Sequence, residues 1–175
     1  MDFFNEPDNI WVASSDGNLS EVKKLIEGGV GVNSQDEYGY SPLHAAASYG
    51  EMVVLEYLLS VGGDVSLRDE DGDTPLLVCE KPDIFQRLVA AGADPHVKNS
   101  EGKGIVEKAV EEDAEELINY LVESGFITDP NFKYVPGEAA EMANFMDMLE
   151  PVEEGAEGGE EGSDDDAEDM NAEST

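Results

Sequence analysis

Glycine spacing is the feature that most restricts this chain. Gly17 and Gly50, Gly29 and Gly62, and Gly39 and Gly72 are each 33 residues apart. Gly62 to Gly92 and Gly72 to Gly102 then fall 30 apart, and Gly92 to Gly125 returns to 33. Interleaved series that change spacing together are the mark of one unit written several times, with three residues lost once between Thr74 and Leu88. A unit of this size cannot bury an apolar face alone, so the period predicts a stack of units whose core runs continuously from one to the next.

Aligned on the glycines, "DEYGYSPLHAAASYGEMVVLEYLLSVGGDVSLR" (36–68) lies over "DEDGDTPLLVCEKPDIFQRLVAAGADPHVK" (69–98). Each unit carries two short apolar patterns at helical spacing; in the 36–68 unit these are Leu43, Ala46 and Ala47, then Val53, Val54, Tyr57 and Leu58. Pro42 suits a first helical turn, where its missing N–H would have no partner anyway. Gly50 and Gly62 stand just past the two helices, where a left-handed cap is wanted. Gly39 and Gly72 fall in tight turns that need positive φ. The alignment also disposes of an EF-hand in "DEDGDTPLLVCE". Asp69, Asp71, Asp73 and Glu80 have the ligand spacing, but the glycine required at the sixth position is Thr74, and the segment is a repeat turn.

"SPLHAAASYG" and "DGDTPLLVCE" resemble the ankyrin repeat, with its 33-residue period and T-P-L-H-x-A signature. The resemblance covers 9–125 in four units: 9–35, 36–68, 69–98 and 99–125. The second is nearly complete, with Asp36, Gly39, Ser41-Pro42-Leu43-His44, Ala46, Gly50, Leu58-Leu59, Gly62 and Asp64. The third keeps Thr74-Pro75-Leu76 but puts Leu77 at the His position and Cys79 at the Ala position, and loses three residues between its helices. The first lacks the turn signature and places Trp11 where His44 stands; the fourth keeps Asn99, Gly102, Ala109, Leu121 and Gly125 without T-P-L-H. The expected fold is all-α: about four helix-turn-helix units with short β-turn tips, followed by a disordered acidic tail.

The resemblance implies a protein-binding scaffold with no chemistry of its own, docking partners on turn tips and inner helices. The positions it points to are Ser15 and Asp16 in the first unit; Glu37, Tyr38, Tyr40, Ser48 and Tyr49 in the second; Glu70, Asp71 and Asp73 in the third; and Ser100, Glu101 and Lys103 in the fourth. Acids mixed with three tyrosines suit a basic, partly apolar protein, because tyrosine supplies rigid contact area at low entropy cost.

Charge sharpens the partner class. Nine Lys and Arg stand against 42 Asp and Glu, a formal charge of −33. Such a field repels nucleic acid and anionic membranes and favours basic proteins. Fifteen of the acids and none of the bases follow Lys133, which leaves 27 acids and nine bases in the repeat body. Residues 150–175 hold Gly, Ser and acids with little to bury and are expected to be disordered. Residues 1–8 form an N-terminal flank. The segment 126–149 contains a short amphipathic helix with Met142, Phe145, Met146 and Leu149 on one stripe, a lid for the last repeat or a recognition helix. Ser163, flanked by acids, is a candidate phosphorylation site for an acidophilic kinase.

Catalytic and metal-binding alternatives find little support. His44 is expected to tie neighbouring turns, and His96 has no second ligand near it in sequence. Cys79 replaces a small core residue without a CxxC or histidine partner and is expected to be buried and inert. Trp11 is expected to pack. Glu111 and Glu112 read as a solvated helix face. No cofactor, metal or catalytic group is assigned. The acidic N-terminus lacks a secretory pattern and no apolar run reaches membrane length, so a soluble monomer in the cytoplasm, and also the nucleus, is expected. A short ankyrin solenoid with an acidic end is similar to small acidic fungal ankyrin proteins, among them a yeast chaperone of a small-subunit ribosomal protein. That likeness implies an escort for a basic ribosomal or nuclear protein. The alternative is a regulatory adaptor or inhibitor of an enzyme, a kinase or phosphatase.

Overall fold

A computed structural model describes residues 9–134. The segments 1–8 and 135–175, with the expected 138–149 helix, the acidic tail and Ser163, lie outside the described residues. Seven helices and no strand occur among those described: α1 (Ile10–Ser15), α2 (Leu19–Glu27), α3 (Pro42–Ser48), α4 (Met52–Ser60), α5 (Pro82–Ala90), α6 (Ile105–Glu111) and α7 (Glu115–Glu123). None is long and apolar enough to cross a membrane.

Local chemistry sets the helix starts. Asn9 accepts from the Trp11 and Val12 amides at 2.9 and 3.3 Å, and Asn18 accepts from the Glu21 amide at 3.2 Å. Pro42 opens α3 and Pro82 opens α5, where no intrahelical donor is lost. Helices this short are marginal alone and gain their stability from packing. The inner helix α1 packs on α3, the outer helix α2 on α4, and α5 on α7, while each inner–outer pair (α1 with α2, α3 with α4, α6 with α7) closes its own unit. The shared core is Val22, Leu43, Leu55, Leu58, Leu76, Ile84, Leu88, Ile105, Leu117 and Leu121, each nearly or fully inaccessible. Ala46 and Ala47 have no exposed surface, so the second unit has no spare volume between its helices.

The third unit departs from the expected helix pair. Where α3 and α6 stand in their units, it has only a turn over 75–78, with the Leu77 amide donating to the Thr74 carbonyl at 2.9 Å. The missing residues align with Ser48, Tyr49 and Gly50 of the second unit, so the deletion removes the last turn of the inner helix. The remaining "TPLLVCE" is too short to nucleate a helix before Pro82 begins α5.

Backbone geometry at the unit ends follows the glycine series. Gly17 and Gly50 have φ of 67° and 71°. The fourth unit has Asp113 at that position, also left-handed with φ 55°, a conformation that aspartate tolerates better than most side chains. The Tyr134 hydroxyl donates to the Asp113 carboxylate, tying the end of the described chain to the last unit.

Candidate protein-interaction surface

Three turns of one design form the tips. Asp36 Oδ1 accepts from the amides of Tyr38 (2.9 Å) and Tyr40 (2.8 Å); Asp69 Oδ1 accepts from Asp71 (3.1 Å) and Asp73 (2.8 Å); Asn99 Oδ1 accepts from Glu101 (3.0 Å) and Lys103 (2.9 Å). Gly39, Gly72 and Gly102 hold φ of 77°, 79° and 80° at the fourth position of each. The tips are joined. The Glu70 amide donates to the Tyr38 carbonyl at 2.8 Å, and the Ser100 amide to the Asp71 carbonyl at 2.9 Å. Gln35 and Arg68, 33 residues apart, brace the same joints, donating to the Arg68 carbonyl at 2.9 Å and the Lys98 carbonyl at 2.9 Å. With its carboxylate holding two amides, Asp69 serves the turn rather than a cation, and among the described residues no His, Cys, Asp or Glu group is arranged to hold a metal.

His44 does what its position predicts. The Ser41 amide donates to its Nδ1 at 3.2 Å, which leaves Nε2–H to donate to the Asp73 carbonyl in the next tip at 3.0 Å. Burial lowers its pKa from the ordinary 6.5, against an opposing pull from the Asp73 carbonyl and nearby carboxylates. The ring stays neutral and links units two and three. Leucine at the corresponding position of the third unit cannot do this. Ser41 Oγ there has a ring nitrogen at 2.7 Å, whereas Thr74 Oγ1, its counterpart, is buried with no partner among the described residues.

The tips and inner-helix ends carry most of the sequence-derived contact residues at the surface. Asp16, Glu37, Tyr38, Tyr49, Glu70, Asp71, Ser100 and Glu101 are exposed; Ser15, Tyr40, Ser48 and Lys103 are half-buried. Tyr38 and Tyr49 keep 55% and 62% of their surface. Tyr40 lies 5.2 Å from the His44 ring, and burial raises its phenol pKa, with a Ser48 hydrogen bond opposing and the charges near it adding. Lys103 is held by Glu101 at 2.8 Å and Glu111 at 2.6 Å, so its charge is neutralised locally.

Asp73 is a correction. Expected at the surface, it is 4% exposed and pairs through Oδ2 with Lys108 of α6 at 3.1 Å, while Oδ1 has no partner among the described residues. Burial disfavours the Lys108 ammonium, but the Asp73 hydrogen bond and charge outweigh it and hold that pKa above its usual value. A long basic side chain on the neighbouring unit draws this carboxylate inward. Two positions were not among the expected contact residues. Val12 on α1 is 54% exposed, and Glu112, read from the sequence only as part of a solvated helix face, caps α6 where Tyr49 and Asp16 stand in their units. Aligning Asp113 with Gly17 and Gly50 would have found Glu112, but the missing glycine hid that register.

The remaining singled-out residues are structural. Burial pushes the Cys79 thiol up to about 12, and its Sγ donates to the Leu76 carbonyl at 3.1 Å, which leaves no thiolate for chemistry. His96 stacks on Phe126 at 5.2 Å, and Trp11 packs half-buried against the core.

Comparison with known proteins places these repeats among relatives. The chain is 46% identical over 116 residues to an ankyrin repeat-containing protein of Schizosaccharomyces pombe, covering 65% of this chain and 56% of that protein. An ankyrin repeat-containing protein of Saccharomyces cerevisiae is 32% identical over 120 residues, covering 62% and 64% respectively. Protein phosphatase 1 regulatory subunit 27 of Homo sapiens is 42% identical over 59 residues, 34% of this chain and 38% of that protein. The chain thus spans somewhat over half the length of its fungal relatives. Ankyrin repeats mediate protein–protein interaction, which agrees with a surface built from turn tips. The family described as Ankyrin repeats (3 copies) matches residues 10–99, half of the 175 residues, and the chain belongs to the ankyrin-repeat family.

Proposed function

We propose that this chain is a non-enzymatic binding module that holds a basic protein and acts as its escort in the cytoplasm or nucleus. The supporting observation is the joined row of tips bearing exposed Glu37, Glu70, Asp71 and Glu101 on a chain of 42 acids and nine bases. Such a field speeds capture of a cationic partner and disfavours nucleic acid. Ribosomal and nuclear proteins have the required charge. The module works as a monomer, each copy presenting one row of tips. Tagged full-length chain recovered at low salt should bring down basic proteins, identified by mass spectrometry. Their association rates should fall steeply as salt rises. Partners of ordinary charge whose binding ignores salt would defeat this reading.

A second reading has its own support. The human relative over 59 residues is by name a regulatory subunit of protein phosphatase 1, and the tyrosines of the second unit could seat an enzyme. In that case the purified chain changes phosphatase turnover at stoichiometric concentrations, and the effect persists at high salt.

A further inference from the structure

We propose that the surface of turn tips and inner-helix ends reads a partner segment in two parts: an apolar anchor on the second unit, and Lys or Arg side chains on units three and four. The inference rests on the protein-binding reading above and specifies the local chemistry of the partner.

Repeat register shows the division. At the third position of the tip the chain places Tyr38, then Asp71, then Glu101. At the end of the inner helix it places Tyr49 in the second unit and Glu112 in the fourth, with nothing between because the third unit lacks that turn. Tyr38 and Tyr49 keep 55% and 62% of their surface, large aromatic groups left uncovered in the second unit. Tyr40 lies close to Ser48 and Tyr49, which joins the tip of the second unit to the end of its inner helix. Lys81 lies beside this patch, with Nζ 3.5 Å from the Tyr49 carbonyl and its stem over Gly50.

The other half is anionic. Glu70, Asp71, Glu101 and Glu112 are exposed; Lys103 is spent on Glu101 and Glu111, and the Arg68 guanidinium on the Gly72 and Lys98 carbonyls. Between the halves, at the tip position that Tyr40 holds one unit earlier, stands Asp73 with Oδ1 buried and lacking a partner among the described residues.

Neither half favours a uniform ligand. A wholly basic segment would leave the tyrosines wet and forgo their contact area. A wholly apolar one would strip water from carboxylates without supplying a cation, which is costly. The hydrogen bonds from the Glu70 amide to the Tyr38 carbonyl and from the Ser100 amide to the Asp71 carbonyl make the tips one continuous ridge, so the halves have a fixed separation. Packed helical units sit about 10 Å apart, and Tyr38 to Glu101 spans two such steps, about 20 Å. An extended peptide covers that in about six residues.

The test is selection from a random peptide library displayed on phage, long enough to hold both halves, against the immobilised full-length chain. Selected peptides should carry an aliphatic or aromatic cluster and a Lys/Arg cluster separated by about six residues. With one such peptide synthesised, Tyr49→Ala should weaken binding about tenfold or more at every salt concentration. Glu70→Gln with Asp71→Asn should weaken it mainly at low salt and flatten the salt dependence. Uniformly basic peptides whose binding ignores Tyr49→Ala would overturn the two-part reading and leave the basic-partner reading standing. Uniformly apolar peptides would overturn both. A selection that enriches nothing would overturn the two-part reading.

Discussion

Replacing Lys108 by Met is the most direct probe of what holds the third and fourth units together. The Lys108 side chain is 18% exposed and that of Asp73 only 6%, so their 3.1 Å contact lies largely out of water. Methionine keeps most of the apolar stem and removes the ammonium, leaving the Asp73 carboxylate with neither oxygen paired. Removing one partner of a buried ion pair costs about 3–5 kcal/mol, and residual access of water to Lys108 favours the lower end, about 3 kcal/mol. With a urea slope of about 1–3 kcal/mol per molar, the unfolding midpoint should fall by about 1–3 M. Adding Asp73→Asn removes the stranded charge, and the double variant should recover about 1–2 kcal/mol of that loss. Urea titrations of the parent, both single variants and the double variant measure the cycle. If Lys108→Met costs less than about 0.5 kcal/mol, the pair behaves as an exposed one and the burial argument fails. Asp73 would then return to the contact surface.

The remaining predictions test the tips, the histidine link and the shortened unit. At Gly39 an added Cβ would meet Asp69 Cα at 3.0 Å and Asp69 C at 3.2 Å, whereas at Gly102 nothing lies within 4 Å. Gly102→Ala should therefore cost about 1 kcal/mol from positive φ alone and Gly39→Ala about 2–3 kcal/mol; equal losses in thermal melts would show that the tips are not closely joined. Because the folded pKa of His44 lies below 6.5, the unfolded chain takes up the proton first on acidification. The His44 contribution is complete above the unfolded pKa and lost as pH falls below it. Urea midpoints at several pH values should show the parent losing more stability there than His44→Gln, and a parallel decline in both would refute the link. Inserting Ser-Tyr-Gly between Glu80 and Lys81 restores the missing register and should increase far-ultraviolet helical signal; no increase would mean that deletion is not what removes the inner helix. Calcium at millimolar concentration should leave the melting temperature unchanged, and a rise abolished by Asp71→Ala would refute the turn reading of 69–73.

What the sequence determined by itself is everything that depends on a few neighbouring residues. Glycine at a position of positive φ, an Asp or Asn that closes a turn on its own amides, and proline at a helix start act over four or five residues, so they can be read in order along the chain. Their repetition gave the period, the units and the family, and from these the tips and helix ends that carry Tyr38, Tyr49, Glu70 and Asp71. The role of His44 was legible too, because the repeat fixes what stands opposite it. Tertiary structure decided what depends on the next unit. Asp73 has the look of its exposed neighbour Asp71, and only Lys108, 35 residues later, draws it into the interior. A lost triplet could be seen in the alignment, but whether it shortens a loop or unwinds a helix depends on where Pro82 restarts the chain and on the core that Leu76 and Leu77 still fill. Tyr38 of the second tip and Glu70 of the third likewise become neighbours only when the units stack. Residues distant in sequence then share one surface, and exposure belongs to the stack rather than to any unit within it.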